Sequence, residues 1–322
     1  ERVTGNKLGT KKNISFGAGG DVSDGGGVTW ASTVAMSDAM GLSSASMNIN
    51  MGGIATLAYD SGTGGYGANA VDNIVPTAWE EIDYGLSTGI TDLGMVSSSK
   101  GVINLTVKSP GSGTGISLSY IPRIGGGHIA DGGSDSTSSR GRGYDAVIDL
   151  VNVSQAHFGM RLGLAAEYEV LTNTCNEPNS HSCNVAKKNN PYGGSTYFTM
   201  KLGPVSIGTQ ATFKDPQESA ATGIANKRSI VAGAALNFGN VSLSYGQAWD
   251  KYRYNDACRG GDAGSPGNPL AGGCSGLNID GTGGEYENIY YSGWSAAINV
   301  GPAALKATRN HVGGWGENSS NS

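Results

Sequence analysis

Between residues 159 and 170 the sequence runs GMRLGLAAEYEV, and every second side chain is of the same kind. Met160, Leu162, Leu164, Ala166, Tyr168 and Val170 fall in one phase, while Gly159, Arg161, Gly163, Ala165, Glu167 and Glu169 fall in the other. A strand turns successive side chains to opposite faces, so this period predicts a strand with one apolar and one polar side. YDAVIDLVNV repeats it, with Tyr144, Ala146, Ile148 and Leu150 opposed to Asp145 and Asp149, and GISLSYIPR sets Ile116, Leu118 and Tyr120 against Ser117, Ser119 and Arg123. The same alternation marks NISFGAGGDV, VTWASTVAM, ASMNINM, VINLTVK, TYFTMKL, VSIGTQATF, SIVAGAALNF, VSLSYGQAW, GWSAAINV and AALKAT.

The connections between these segments alternate in length. MGGI at Gly52, LGPV at Gly203, FGNV at Gly239 and VGPA at Gly301 are tight turns. The connections 60–98, 123–142, 171–194 and 250–285 are long and rich in Gly, Asp, Ser and Asn. One end of the molecule therefore carries short turns and the other long loops. With alternating segments of about ten residues, this is the pattern of a transmembrane antiparallel β-barrel, an all-β fold class. A soluble β-sandwich also alternates, but its polar face would be rich in Lys and Glu, whereas here that phase is mostly Gly, Ser, Thr, Ala and Asn.

The apolar phase is nearly free of charge, as lipid contact requires, because Lys or Arg at the bilayer midplane costs about 2 to 4 kcal/mol. Arg309 is the exception and is expected near the loop end of its strand, where that cost falls. Tyr120, Tyr144, Tyr168, Trp249 and Tyr286 are expected at the long-loop ends of strands, and Phe158 and Phe238 at the short-turn ends, as interfacial girdles.

Composition agrees with a barrel. Of 322 residues only 15% are charged and 38% hydrophobic, with 54 glycines, which is poor material for helices or one large apolar core. A net charge of −5 with scattered Lys and Arg gives no nucleic-acid footprint. No run of about 18 apolar residues predicts a transmembrane helix. The chain opens on ERVTGNKLGTKK, which is no signal peptide, so an exported protein would have its leader removed or outside this sequence.

The four cysteines fall in two close pairs, Cys175 with Cys183 and Cys258 with Cys274, each among turn formers in a polar stretch. Two local disulfides and an oxidising compartment are expected. A zinc site is the rival, with His181 nearby, although its usual short Cys spacings are absent. No cofactor and no metal are expected; NDACRGGDAGSPGN lacks the spacing of a calcium loop. His128, His157, His181 and His311 lie in no recognisable nucleophile constellation, so no enzyme activity is expected.

Within the 60–98 connection, Gly62, Gly64 and Gly67 have G-x-G-x-x-G spacing. A dinucleotide turn needs a helix after the third glycine, and Pro76 interrupts one. The glycines are better suited to a hinge that turns the backbone off a strand. Further along, PTAWEEIDYG places Glu80, Glu81 and Asp83 around Trp79 and Tyr84. A wide barrel encloses an aqueous channel unless something narrows it. This connection is expected to fold inward as the constriction, with the three carboxylates at its narrowest point. The alternation points Lys108, Arg123, Arg161 and Lys201 inward as the basic wall, with Lys306 also inward. Opposed charges across a narrow passage orient polar solutes and disfavour apolar ones.

The segments NISFGAGGDVSDGGGVTWASTVAMSD, ASMNINMGGIATLAYDSG with GANAVDN, GISLSYIPR and LGPVSIG resemble the general outer-membrane porins common in alphaproteobacteria. The resemblance covers nearly the whole chain as one porin barrel domain, 1–322. It implies a sixteen-stranded barrel in the outer membrane of a Gram-negative bacterium and a homotrimer. Outer-membrane lipid, lipopolysaccharide and small hydrophilic solutes would be its partners, and residues 60–98 its eyelet loop. The acidic side of that eyelet corresponds to Glu80, Glu81 and Asp83. About fourteen strands are visible, so a terminal strand is expected to be missing at each end, with a true fourteen-stranded barrel as the alternative. Passive diffusion of ions and small solutes is the expected function. An exported β-rich adhesin or surface-structural protein is the alternative, though no fixed solenoid period is seen.

Overall fold

The alternating segments become fourteen strands in one antiparallel sheet, each paired with its neighbours in sequence. In this computed structural model the described residues are 14–22, 26–36, 42–61, 65–72, 74–86, 89–94, 96, 100–109, 113–122, 141–171, 189–217, 224–254, 287–301 and 303–313. The strands are β1 (Ile14–Asp21), β2 (Val28–Met36), β3 (Leu42–Met51), β4 (Ala55–Ser61), β5 (Lys100–Lys108), β6 (Gly115–Ile121) and β7 (Gly143–Ser154). They continue as β8 (Phe158–Glu169), β9 (Tyr192–Leu202), β10 (Val205–Asp215), β11 (Ile224–Phe238), β12 (Val241–Tyr254), β13 (Glu287–Val300) and β14 (Ala303–Gly313). Among the described residues β1 and β14 are the two edges of the sheet, with no ladder between them. No helix among them is long and apolar enough to cross a membrane, which says nothing of a barrel.

The short turns form where glycine supplies a positive φ: Gly52, Gly203, Gly239 and Gly301 have φ between 56° and 64°. All four expected tight turns are therefore present. Cys175, Cys183, Cys258, Cys274, Arg123, His128, His181 and Tyr286 lie outside the described residues.

The two faces of the sheet are chemically opposite. One is apolar and exposed: Leu118, Leu164 and Leu243 are 50%, 48% and 47% exposed. The other is polar and largely covered, with Asp145, Glu167, Ser195, Gln210 and Asp250 buried. Tyr120, Tyr144, Tyr168 and Tyr192 stand directly opposite one another on β6 to β9, a row across four strands on the apolar face. Trp249 and Tyr290 face each other similarly on β12 and β13. Rows of amphipathic aromatics at the loop ends are what a membrane interface selects.

Two local expectations are corrected. A bulge between Asp149 and Val151 shifts the register of β7, so beyond it Val151 pairs with Leu162 and Val153 with Met160. Strict alternation past Leu150 fails because the extra residue flips the phase. Arg309 lies on the apolar face opposite Trp294, four residues short of Gly313, and so deeper in its strand than the loop end.

Candidate functional site

Residues 65–96 lie across the polar face and hold it covered. Positive φ at Gly65 (88°) and Gly67 (57°) leads into a short 3-10 turn, Gly67–Val71, while Gly62 and Gly64 of the expected hinge lie outside the described residues. Tyr66 donates its hydroxyl to Asn48 Oδ1 on β3 at 2.5 Å. Gln210 on β10 donates to the Val71 carbonyl, and the Ala78 amide donates to Ser244 Oγ on β12. Trp79 Nε1 reaches the Ala307 carbonyl on β14, and Asn310 Nδ2 donates to the carbonyls of Glu81 and Tyr84. The segment then returns. Tyr291 on β13 bonds the Gly89 carbonyl, Asp250 on β12 accepts from the Thr91 amide and hydroxyl, and Glu167 on β8 accepts from the Gly94 amide. Val96 closes the path against Val102 and Ile121 on β5 and β6.

So brief a segment touches β3 and β14 and comes back to β5 only because the sheet curls around it. Flat, those strands would stand about 50 Å apart at roughly 4.8 Å per strand. We call the covered face inner. Its apolar patches are small: Ala68, Val71 and Leu93 pack on Val147, Ala165 and Tyr197, and Ile82 packs on Ala248, Ile289 and Tyr291.

What lets the segment lie so close is a row of glycines. Gly208, Gly233, Gly246 and Gly293 are successive register partners on β10, β11, β12 and β13. A methyl group at Gly208 would sit 2.5 Å from Pro76 Cδ, at Gly233 2.7 Å from Val75 Cγ1, and at Gly246 3.0 Å from Ile82 Cγ2. At Gly293 it would collide with the Asn310 amide that holds the Glu81 and Tyr84 carbonyls. The same row continues through Thr199 to Arg161 on β8.

The acidic residues gather between segment and wall. A cavity of about 50 Å³ is lined by Asp72, Glu81, Asp83 and Asp92 with Gln210 and Ser244. Burial raises the Glu81 carboxyl to about 7, helped by the negative charges of Asp83, Asp72 and Glu80. Asp92 is also raised to about 7, by burial and then by Asp72, with Lys214 pulling the other way. Asp83 Oδ2 accepts the Ile90 amide at 3.0 Å and so also shapes the segment's own turn.

The basic residues are placed less uniformly. Arg161 is on the inner face but clamps Asp149 with two bonds, 2.8 and 3.2 Å, under the ring of Tyr197, whose hydroxyl also donates to Asp149. Lys201 and Lys108 face inward, exposed, near the short-turn ends of β9 and β5. Lys306 on β14 reaches the acidic segment, its Nζ 4.7 Å from the Trp79 ring centroid. Lys214 does so from β10, bridging Glu167 Oε1 and the Asp92 carbonyl at 3.2 Å each. Sequence reasoning passed over Asp72, Asp92, Lys214, Glu167 and Asp250. The inward phase of Lys214, Glu167 and Asp250 was visible, but which of them meets residues 65–96 depends on register; Asp72 and Asp92 belong to that segment itself, where no strand alternation applies. Among the described residues no group of three or more His, Cys, Asp or Glu side chains is arranged to hold a metal ion.

No family model matches this sequence, and no curated protein matches it. Solved structures do match in shape. A loop-deletion form of OmpT, an outer-membrane protein of Vibrio cholerae, aligns with TM-score 0.58 at 10% identity over 94% of this chain and 86% of its own. A porin refined at 1.8 Å aligns with TM-score 0.56 at 11% identity, over 93% and 86%. Salmonella typhi OmpF in complex with daunomycin gives 0.53 at 11% identity, over 96% and 93%. With a one-sheet antiparallel architecture, an apolar outer face and a polar inner one, this chain has the fold of the outer-membrane porins.

Proposed function

We propose that the protein is an integral outer-membrane channel of a Gram-negative bacterium for passive diffusion of ions and small hydrophilic solutes, with residues 60–98 as its constriction. One observation carries this: the segment crosses the polar face from β3 to β14 and back, hydrogen-bonded to the wall on both passes. A barrel braced in this way keeps a restricted aqueous passage instead of a filled core. The porin fold supports the membrane placement, and the aromatic rows supply its interfacial belt. We read the chain as a pore without enzyme activity and as a homotrimer in the membrane.

The ionic side of the passage is Glu80, Glu81 and Asp83 with Asp72 and Asp92. The cations facing them are Lys306 and Lys214, with Lys108, Lys201 and the Asp149-paired Arg161 further along the inner face. Single-channel recording in planar bilayers tests the proposal. The parent should conduct and prefer cations, and Glu80→Gln, Glu81→Gln, Asp83→Asn together should move the reversal potential towards anions. Arg161→Ala should move it the other way, because Asp149 is then left unbalanced. A protein that folds but conducts no ions, or a triple variant with the parent's conductance and reversal potential, overturns it.

A further inference from the structure

At its far point the acidic segment presents two aromatic rings to the inner face of β14. Trp79 and Tyr84 lie with centroids 6.0 Å apart and planes tilted by 58°, as two walls of an open corner. The strand holds both. The Ala307 carbonyl accepts the Trp79 indole N–H at 3.3 Å, and Asn310 Nδ2 donates to the Tyr84 carbonyl at 3.0 Å. Tyr84 is 55% exposed, so its ring is open to a solute. Glu80, Glu81 and Asp83 lie between the two rings in sequence, and the charges of Asp83 and Glu80 are near enough to act on the Glu81 carboxyl.

A cation already stands on Trp79. Lys306, exposed and in phase with Asn310 on β14, places its Nζ 4.7 Å from the Trp79 ring centroid, within the roughly 6 Å at which a ring face attracts an ammonium group. Among the described residues that ammonium has no carboxylate within ion-pair distance, although three follow Trp79 closely in the chain. A lysine that lies on a ring with carboxylates at hand marks that ring face as a cation position. Aromatic faces suit cations that give up water readily. A methylated ammonium does so more readily than the strongly hydrated ammonium of lysine, whereas a sodium ion is served by the carboxylates and gains little from the rings.

We propose that Trp79 and Tyr84, with Glu80, Glu81 and Asp83 supplying the charge, form a site for small quaternary-ammonium solutes in the passage, and that Lys306 is its built-in competitor. This rests on the channel function proposed above. Lys306 holds the ring face between solutes. An arriving methylated ammonium displaces it, and the tethered amine returns to the ring and speeds release. The passage then favours an organic cation over an inorganic one of equal charge without retaining it.

The test is the choline-to-sodium permeability ratio, from reversal potentials in planar bilayers, beside saturation-transfer NMR of choline with the detergent-folded protein. Both ions gain alike when a positive wall charge is lost, so the ratio isolates the rings. Lys306→Met should raise it about three-fold, because the competitor is gone, and Trp79→Leu should lower it by a similar factor. In the double variant the gain from Lys306→Met should vanish. Should Trp79→Leu fail to fold, Trp79→Phe, which keeps a ring but a weaker one, should lower the ratio less, and Tyr84→Leu should lower it as well. Saturation transfer should reach the choline methyl groups and not those of its neutral isostere, in which a tert-butyl group replaces the trimethylammonium. A ratio left at the parent's value by the folded ring variants, a Lys306→Met gain that persists without Trp79, or equal transfer to the neutral isostere overturns the proposal. A parent that conducts but neither prefers nor binds choline sinks this site and leaves the pore standing. Trp79-dependent choline binding by a protein that does not conduct does the reverse.

Discussion

On β8, Leu164 and Glu167 stand three residues apart on opposite faces, and their exposures invert the order found in water-soluble proteins. Leu164 is 48% exposed and Glu167 is 2% exposed. The same inversion separates Leu243 from Asp250 on β12, at 47% and 0%. A soluble sheet that showed leucine and covered carboxylate would be unstable on both counts. Here each face meets a different surrounding. The outer one suits hydrocarbon, while the inner one meets a polypeptide segment whose backbone amides need acceptors. Glu167 and Asp250 supply them to Gly94 and Thr91. A single two-residue period thus encodes two solvents.

The sharpest way to break that contrast is to exchange the faces' chemistry. Leu164→Arg on the outer face should destabilise the folded protein in lipid vesicles by about 2 to 4 kcal/mol. Ser206→Arg, on the inner face of β10, should stay within about 0.5 kcal/mol. Denaturant unfolding in vesicles measures both, and equal losses would mean that the faces are misassigned. Gly233→Val strikes the inner face where Val75 rests. Overpacking there should cost about 1 to 3 kcal/mol and displace the segment, so conductance should rise. The equivalent change in phase with the outer face, Ala234→Val, should alter neither. Asp250→Asn retains an acceptor for one N–H but loses the charge, for about 1 kcal/mol, and should show as added current noise from a loosened segment.

The smallest effect is a titration. With Glu81 and Asp92 both raised to about 7, lowering the pH from 8 to 6 removes negative charge from the proposed constriction, and cation preference should fall across that interval. The sign for stability is the opposite of an ordinary paired carboxylate. The unfolded chain ionises these groups near 4, so stability should decline as pH rises towards 7 and level off above it. Glu81→Gln should flatten the reversal potential against pH. A curve unchanged by that substitution would remove Glu81 from the conducting path.

Much of this was legible in the sequence because each strand carries its own instruction. Alternation in GMRLGLAAEYEV assigns Arg161 and Glu167 to one face without any knowledge of neighbours. The glycines at 52, 203, 239 and 301 mark their turns equally locally. What could not be read were properties of pairs. That Arg161 meets Asp149, and not a carboxylate of residues 65–96, depends on two strands meeting in one register, and the bulge at Leu150 shifts that register. The four glycines of β10 to β13 are unremarkable one by one among 54 and become a feature only when their strands align. Lys214 and Lys306 are in the same position: their inward phase was open to view, but not which of them the acidic segment would reach.

The out-and-back course of residues 65–96 has a mechanical consequence. A curved shell in a bilayer bears lateral compression, and a thin shell yields by ovalising. A strut tied to β3 at one end, to β14 at its far point and to β8 on return shortens every unsupported span. The aperture and the stiffness of the curved sheet are then one design variable. Any change that widens the passage by releasing the strut also softens the shell that lipid presses upon.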